Sequence, residues 1–162
     1  YSVRSFGSAE VSASTVRRIL EAAIRAPSAG NRQPWHFIVV RQEQVKQALA
    51  QAAYGQDFVA EAPVVIVVCA DPERSAMRYG ARGKELYCLQ DTAAATEHIL
   101  LAATALDLGC CWVGAFDEKA AARALTLPGH LRPVAMVPIG QPAEPRERTP
   151  RRPLSEVTSF LE

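Results

Sequence analysis

The stretch RAPSAGNRQPWHFIVV, residues 25–40, joins a helical pattern to a strand pattern and organises the first half of the chain. Pro27 and Pro34 bracket six small or polar residues. Each proline fixes its own φ and withholds a backbone N–H from regular hydrogen bonding. The stretch therefore predicts a rigid, polar connection between two regular elements. Loops of this kind, placed on a folded scaffold, are common positions for binding residues.

Apolar patterns on both sides of the loop predict helices that alternate with strands. Before the loop, apolar residues recur at helical spacing after Ser14, the expected N-cap, and Pro27 ends the run. After it, residues 36–40 have the pattern of a strand and residues 45–52 that of a second helix. Residues 63–70, PVVIVVCA, form a continuous apolar run of strand length, which is typical of a central strand buried on both faces.

A long helix and a proline-rich arm are predicted for the second half of the chain. The helix covers residues 84–108, with Gly109 as its C-cap. Its second half is apolar nearly all round, so it is either buried or in contact with another chain. Residues 110–116 have the pattern of a strand that ends in a turn. The four prolines of residues 141–157 exclude a regular helix over most of that arm.

The remaining pattern completes the fold class. Asp117 is the expected cap of a short helix that reaches residue 125, and residues 132–140 supply a further strand. Alternating strands and helices predict one domain, residues 1–162, of the three-layer α/β or α+β class. A chain of 162 residues is long enough to bury one sizeable core.

Composition argues against several classes of function. With 49% hydrophobic residues and a net charge of +1, the chain has globular composition and too small a basic excess for a typical nucleic-acid-binding protein. No apolar run reaches the length of a membrane span. The four cysteines form no CxxC pair and are expected to be reduced and structural, which favours a cytoplasmic location. Because the sequence does not begin with Met, a targeting segment before Tyr1 stays open.

Common catalytic signatures are absent from the sequence. It contains no GxGxxG after a strand, no Walker loop, no HExxH and no GxSxG, and its histidines are too scattered to predict a metal site. His98, within the long helix, is expected to make a structural hydrogen bond. What remains is the proline-bracketed loop, Gly114 and arginines at both ends of the chain. Taken singly, these features also fit a helix terminator with a turn, a tight bend and solvated side chains.

Taken together and in order, seven segments of the chain resemble the FMN-dependent nitroreductase family. They are YSVRSF (1–6), APSAGNRQPWHFIVV (26–40), EAPVVIVVCA (61–70), QDTAAATEHILLAATALDLG (90–109), CWVGAFDE (111–118), VPIG (137–140) and RRPL (151–154). The similarity covers essentially the whole chain. It implies an α+β, nitroreductase-like fold with a central mixed β-sheet flanked by helices. It also implies an intertwined homodimer, in which each FMN lies in a cleft built by both subunits and the long helix forms much of the interface.

The resemblance also implies which residues approach the flavin. Ser28 and Asn31 would offer side-chain hydrogen bonds from the loop, Ala29 and Gly30 would leave room for the ligand, and Pro27 is a further cofactor-binding residue. The backbone amides of a second segment would approach flavin N5. That segment consists of Val113, Gly114 and Ala115, and Gln56 matches a polar position at the pyrimidine edge of the ring.

The phosphate contacts implied by the resemblance lie near the two ends of the chain. Ser2 and Arg4 match part of a phosphate-binding motif whose first arginine would precede Tyr1. Arg151 matches the C-terminal phosphate-binding arginine, and Arg152 beside it is the alternative. Guanidinium groups suit a phosphate dianion because they present several donors in a planar fork.

The activity implied by the resemblance is ping-pong hydride transfer. NAD(P)H would reduce FMN and leave, and a small acceptor such as a nitroaromatic or a quinone would then take the reducing equivalents. No side chain is assigned a catalytic role. Alternatives are a reductive dehalogenase, a flavin-fragmenting enzyme or a peptide-ring dehydrogenase on the same scaffold, a non-enzymatic FMN-binding dimer, and an anion- or nucleic-acid-binding module without flavin. The specialised relatives usually carry a lid, for which the segment before residue 84 is short.

The preferred electron donor is left open by the sequence. No fingerprint for a dinucleotide fold or acidic ribose-binding residue distinguishes NADH from NADPH. Arg74, Arg78 and Arg82 favour NADPH if they meet its phosphate, and otherwise form a solvated, ion-paired stretch.

Overall fold

The computed structural model of the protein describes residues 2–144 and 149–161. Its helices are α1 (Ala13–Ala23), α2 (Glu43–Ala52), α3 (Phe58–Glu61), α4 (Pro72–Arg82, kinked at Gly80), α5 (Cys88–Ala105) and α6 (Glu118–Ala124). Its strands are β1 (Trp35–Val40), β2 (Val64–Ala70), β3 (Gly109–Cys110) and β4 (Arg132–Gly140). Short 3₁₀ turns cover Ala29–Asn31 and Leu154–Glu156, and a π-helical turn covers Gly83–Tyr87.

The four strands form one sheet in the order β1-β2-β4-β3. The predicted α+β class is confirmed, but the sheet within the described chain is antiparallel at every pairing rather than mixed. The reason lies in the connection between β1 and β2. Because α2 and α3 fold back against one another, the chain re-enters the sheet beside the end of β1, where Val40 pairs with Val65. A parallel pairing would need a crossover that returns along the whole strand.

Strand β2 is buried at all of its residues, as its continuous apolar run predicts. Its side chains alternate between two cores, because successive residues of a strand point to opposite faces. Val64, Ile66 and Val68 pack against α1 and α5, and this side is called the α1/α5 face. Val65 and Val67 pack against the other helices, and this side is called the α2/α3/α6 face. The three-layer arrangement predicted from the sequence is therefore confirmed.

The predicted long helix is shorter at both ends. Its first residues form the π-helical turn Gly83–Tyr87, and α5 ends at Ala105. The reversal after α5 uses Asp107, with a φ of 58°, because aspartate tolerates the left-handed region better than most residues. Gly109 begins β3 instead of capping the helix. A Cβ at this position would lie 2.7 Å from a methyl group of Val3.

Helix caps agree with the sequence in one case and differ in another. Asp117 caps α6 as predicted, since its side chain accepts a hydrogen bond from the Ala120 N–H. The N-cap of α1 is Ser12 rather than Ser14, and its Oγ accepts from the Thr15 N–H at 3.1 Å. Both serines precede the apolar stripe, so the stripe alone does not decide which one leaves the helical conformation.

The interior also bears out the expected roles of the cysteines and of His98. All four cysteines are unpaired and buried, and burial raises the pKa of the Cys69 thiol to about 12 and that of Cys110 to about 11. His98 Nδ1 lies 3.0 Å from the Ala22 carbonyl oxygen and so links α5 to α1. Across residues 2–144 and 149–161, no helix combines the length and hydropathy needed to cross a bilayer.

We expect Gly83→Ala to lower the free energy of unfolding by about 1–3 kcal/mol, because an added methyl group must displace its neighbours. A Cβ at Gly83 would lie 2.5 Å from the carbonyl oxygen of Ser75, a backbone atom of α4. Urea denaturation of the variant measures the loss. Gly129→Ala is the matched control, since a Cβ there meets nothing within 4 Å. Equal stabilities of the two variants would contradict the close packing of the π-helical turn.

Candidate functional site

The loop between Pro27 and Pro34 is held in one shape by its own side chains. Ser28 Oγ accepts a hydrogen bond from the Gln33 N–H at 3.0 Å, and Asn31 Oδ1 accepts from Gln33 Nε2 at 3.1 Å. Asn31 and Gln33 have φ values of 54° and 52°, which non-glycine residues adopt rarely. Backbone held in such a conformation is frequent at ligand sites.

The donors of this loop remain available to a ligand. The side-chain oxygens of Ser28 and Asn31 are engaged by Gln33, whereas the hydroxyl hydrogen and the amide hydrogens meet no acceptor among the described residues. The two side chains predicted to bind a cofactor can therefore donate without disturbing the loop. The sequence did not predict that Gln33, directly before Pro34, holds the loop by hydrogen bonds to Ser28 and Asn31.

Asp91, in the first turn of α5, holds the loop through a hydrogen bond to its backbone. Its Oδ1 accepts a hydrogen bond from the Ala29 N–H at 3.0 Å. The residue is only 6% exposed, and its Oδ2 has no partner among the described residues. Burial raises the pKa of this carboxyl, and the Ala29 N–H partly opposes that effect. The sequence carried a signal for this residue, because Asp91 shares the buried stripe of Ala95 and Ile99 at four-residue spacing.

Gly30 makes room for α4 rather than for a ligand, which corrects the expectation from the sequence. A Cβ at Gly30 would overlap the Tyr79 hydroxyl and lie 3.1 Å from Arg78 Cδ. Beside it, Arg32 Nε donates to the Arg74 carbonyl at 3.0 Å, and Arg74 Nε donates to the Arg32 carbonyl at 2.6 Å. Helix α4 is thus clamped against the loop.

The segment around Gly114 offers a second set of donors. Val113 is buried and exchanges two backbone hydrogen bonds with Met136, at 2.9 and 3.0 Å. Gly114 and Ala115 are exposed, and their N–H groups have no acceptor among the described residues. Gln56 Nε2 donates to the Ala115 carbonyl at 3.2 Å. Gln56 and this segment are therefore in contact. This agrees with the prediction that both lie next to the same ring.

The N-terminal residues run along the edge of the sheet. Val3 donates its N–H to the Cys110 carbonyl at 3.0 Å. The Arg4 guanidinium lies 5.9 Å from the centre of the Phe58 ring and has no carboxylate partner among the described residues. Ser2 is exposed and makes no hydrogen bond within that part of the chain. Arg4 is thus an exposed cation available to an anionic ligand.

The C-terminal arm distinguishes its two neighbouring arginines. Arg152 Nε pairs with the Glu156 carboxylate at 3.2 Å. Arg151 donates only to the carbonyls of Thr149 and Pro150, and its charge meets no carboxylate within residues 2–144 and 149–161. This difference favours Arg151 as the arginine that meets a phosphate. Residues 145–148 of the predicted arm lie outside the described residues.

A single chain separates the predicted contacts into two groups. The loop precedes β1 at the end of the sheet where Trp35 pairs with Ala70, and its Ala29 end is held by α5 on the α1/α5 side. Val113 and Phe58 belong to the opposite core, and with them Gly114, Gln56 and Arg4 lie on the α2/α3/α6 side. Among the described residues, no hydrogen bond joins the loop to the glycine segment. The part of the chain that the structure describes also holds no group of three metal-ligating side chains.

Comparison with known proteins identifies the family. The sequence profile described as the Nitroreductase family matches residues 1–56 and 51–141. The chain belongs to the nitroreductase family. A protein of Archaeoglobus fulgidus, with the provisional name NADH dehydrogenase/NAD(P)H nitroreductase, is 37% identical over 150 residues, which cover 90% of this chain and 83% of that relative. The FMN reductase (NAD(P)H) of Bacillus subtilis is 29% identical over 169 residues, covering 96% of this chain and 68% of its own.

A solved nitroreductase structure has the same fold. The crystal structure of a nitroreductase family protein from Streptococcus pneumoniae TIGR4 superposes with a TM-score of 0.89 at 25% identity. The match covers 99% of this chain and 96% of that one. The nitroreductase-like fold implied by the seven sequence segments is therefore confirmed.

We expect Asp91→Asn to change the pH dependence of stability. Because burial raises the pKa of Asp91, the folded wild type binds protons more readily than the unfolded chain, so its free energy of unfolding falls as pH rises above the ordinary value of 3.8. The variant lacks this loss and gains stability relative to the wild type between about pH 3 and 7. Urea denaturation across that range measures the difference.

Asp117→Asn is the matched control for Asp91→Asn. The Ala120 N–H lowers the pKa of Asp117, so its charged form stabilises the fold above the ordinary value and that stability is lost as pH falls. This variant therefore loses stability relative to the wild type as pH rises. Parallel pH profiles for the two variants would contradict the buried position of the Asp91 charge.

Proposed function

We propose that the protein is an FMN-dependent oxidoreductase that takes electrons from NAD(P)H and passes them to nitroaromatic, quinone or related small acceptors. Family membership and the FMN reductase relative support this activity. The observation that carries the proposal is the pair of exposed backbone N–H groups at Gly114 and Ala115, which lie beside Gln56 and have no acceptor among the described residues. Adjacent donors of this kind suit the heteroatom edge of a flavin ring.

The residues present fit FMN at each part of the cofactor. Arg4 and Arg151, both without a carboxylate partner in the described chain, would hold the phosphate. Ser28 and Asn31 would donate to polar atoms of the cofactor from the braced loop, and Gly114 would lie at the ring edge. FMN when bound supplies the chemistry of accepting and donating a hydride.

The protein would contribute orientation and electrostatics to this chemistry. The backbone donors of Gly114 and Ala115 would stabilise negative charge that develops on the ring, because they are fixed before the reaction begins. The strained, braced loop would lose little freedom on binding, so less binding free energy is spent on ordering it. No side chain is assigned a proton transfer.

We infer that the complete site requires two copies of the chain. Asp91 of α5 holds the Ala29 end of the loop, whereas the glycine segment lies against the opposite core, so one cofactor would contact both where two subunits meet. Exposed apolar side chains support such an interface. Ile24, Leu101 and Trp112 are 50%, 59% and 39% exposed. In the arm, Phe160 and Leu161 are 80% and 100% exposed, which fits a segment that packs on a second subunit.

The segment before α5 favours an open site with broad acceptor range over the specialised alternatives. Its residues form α4, which is clamped onto the loop through the backbone contacts of Arg32 and Arg74. In the described chain, the connection between β2 and α5 is therefore engaged in packing rather than free to close over a bound substrate.

The proposal is tested by anaerobic absorption spectroscopy of gel-filtered protein after FMN addition. We expect a retained flavin band that bleaches on addition of NADPH or NADH and returns when a nitroaromatic or a quinone is added. A retained band that neither nucleotide bleaches would show an FMN-binding protein without this activity. Failure to retain FMN would contradict the assigned cofactor.

We expect Gly114→Val to abolish FMN retention while the fold is preserved. A Cβ at Gly114 would come no closer than 3.7 Å to any neighbour, so the chain itself tolerates a side chain there, and only an approaching ring would be crowded. Flavin absorbance after gel filtration and the far-ultraviolet circular dichroism spectrum measure the two properties. Gly129→Ala, which adds a side chain in open space at a residue without left-handed backbone, is the control for cofactor retention. Normal FMN binding by Gly114→Val would exclude this placement of the ring.

A further inference from the structure

Two arginines beside the loop hold each other in place through their backbones. The Nε atoms of Arg32 and Arg74 each donate to the carbonyl oxygen of the other residue. These reciprocal hydrogen bonds place the side chains of half-buried Arg32 and exposed Arg74 next to each other's backbone. Two cationic side chains on adjoining segments attract an anion more strongly than either does alone.

No carboxylate of the described chain compensates the two charges. Neither guanidinium takes part in an ion pair there. Asp71 is engaged as the N-cap of α4, where its Oδ1 accepts from the Arg74 N–H at 3.1 Å, and Glu73 pairs with Lys84. Arg74 also lies in the first turn of α4, where the helix dipole disfavours a cation.

The three α4 arginines are exposed, as the solvated alternative predicts, but none of them forms an ion pair among the described residues. Arg78 lies over the Tyr79 ring at 5.5 Å. Arg82 lies over the Tyr87 ring at 5.3 Å and donates from Nε to the Tyr87 hydroxyl at 2.9 Å. Of the three, Arg74 is the one that exchanges hydrogen bonds with another arginine, Arg32. It is therefore the best candidate of the three to bind an anionic ligand.

Arg74 also lines a cavity of about 580 Å³ between the loop and residues 125–131. Trp35, His36, His130 and the N-cap residue Asp71 line the same cavity, and Arg32 lies beside Arg74 outside this lining. A volume of this size is typical of small-molecule sites. An aromatic wall, two imidazoles and a guanidinium group together suit a phosphorylated nucleoside.

We propose that Arg32 and Arg74 bind the 2′-phosphate of NADPH, with the adenosine half of the nucleotide in this cavity. The identity of the ligand rests on the proposed function, which requires a pyridine-nucleotide donor. NADH lacks the 2′-phosphate, so the two guanidinium groups make NADPH the preferred donor. Gln33 lines the cavity and braces the loop, which places the adenosine half beside the residues assigned to FMN.

The test measures binding of 2′,5′-ADP and 5′-AMP to the FMN-loaded protein by isothermal titration calorimetry. We expect the wild type to bind 2′,5′-ADP at least about tenfold more tightly than 5′-AMP, since a charge-assisted contact is worth roughly one decade or more in affinity. Arg74→Gln and Arg32→Gln should each reduce that ratio about tenfold, by the same relation. The ratio of KM values for NADPH and NADH should shift in the same direction.

Arg82→Gln is the matched control, because Arg82 lies on the same helix but is anchored on Tyr87. This variant should keep the wild-type preference for 2′,5′-ADP. The circular dichroism spectrum of each variant checks for loss of the fold, and its FMN retention checks for loss of the cofactor. If Arg74→Gln alone fails these checks, the outcome for Arg32→Gln decides.

Several outcomes would overturn the proposal. They are equal binding of the two nucleotides by the wild type, an unchanged preference in both arginine variants, and an equal loss in Arg82→Gln. Failure of the proposed function is recognised separately, by a flavin band that neither NADPH nor NADH bleaches. Because calorimetry with 2′,5′-ADP requires no electron transfer, it tests the phosphate subsite in either case.

Discussion

Complete burial of β2 is the constraint on which the rest of the molecule depends. A strand with apolar side chains on both faces must be covered on both faces, and two separate groups of helices provide that cover. The same requirement divides the candidate site. The loop comes from the layer that holds α1 and α5, whereas the segment of Gly114 comes from the layer that holds α2, α3 and α6. This division supports the proposal that two copies of the chain together build the cofactor site.

The loop combines rigidity with several local costs. Left-handed backbone at Asn31 and Gln33 is unfavourable, and so is the buried carboxyl of Asp91. Hydrogen bonds from Ala29 and Gln33, together with the clamp formed with α4, offset these costs. The surrounding packing thus stabilises a conformation that the isolated segment would not hold. A loop ordered before binding can present its donors without further loss of conformational entropy.

The distribution of charge separates cations that pair with carboxylates from cations without such a partner among the described residues. Lys84 and Arg132 have carboxylate partners, Glu73 and Glu118, and so help to join elements of the fold. Arg4, Arg151 and the pair formed by Arg32 and Arg74 have no such partner within the described residues. Unpaired guanidinium groups at these places match ligands that carry phosphates, as FMN and NADPH both do.

Sequence alone determined the elements whose signal is local. The observed class followed from the apolar run of β2, the stripe of α1, the cap at Asp117 and the order of seven family-like segments. Periodicity and capping could be recognised because each acts over only a few residues. The resemblance of those segments to the family gave Ser28, Asn31 and Gly114 as candidates for cofactor contact.

Tertiary structure decided what depends on residues distant in sequence. Strand direction follows from how α2 packs on α3, and the space beside Gly30 is filled by Tyr79 from another helix. Asp91 acquired its role through a bond to Ala29, 62 positions away in the chain, and Arg32 through its contacts with Arg74. Such contacts form only after the layers have packed, since folding and not local preference brings these atoms within hydrogen-bond distance.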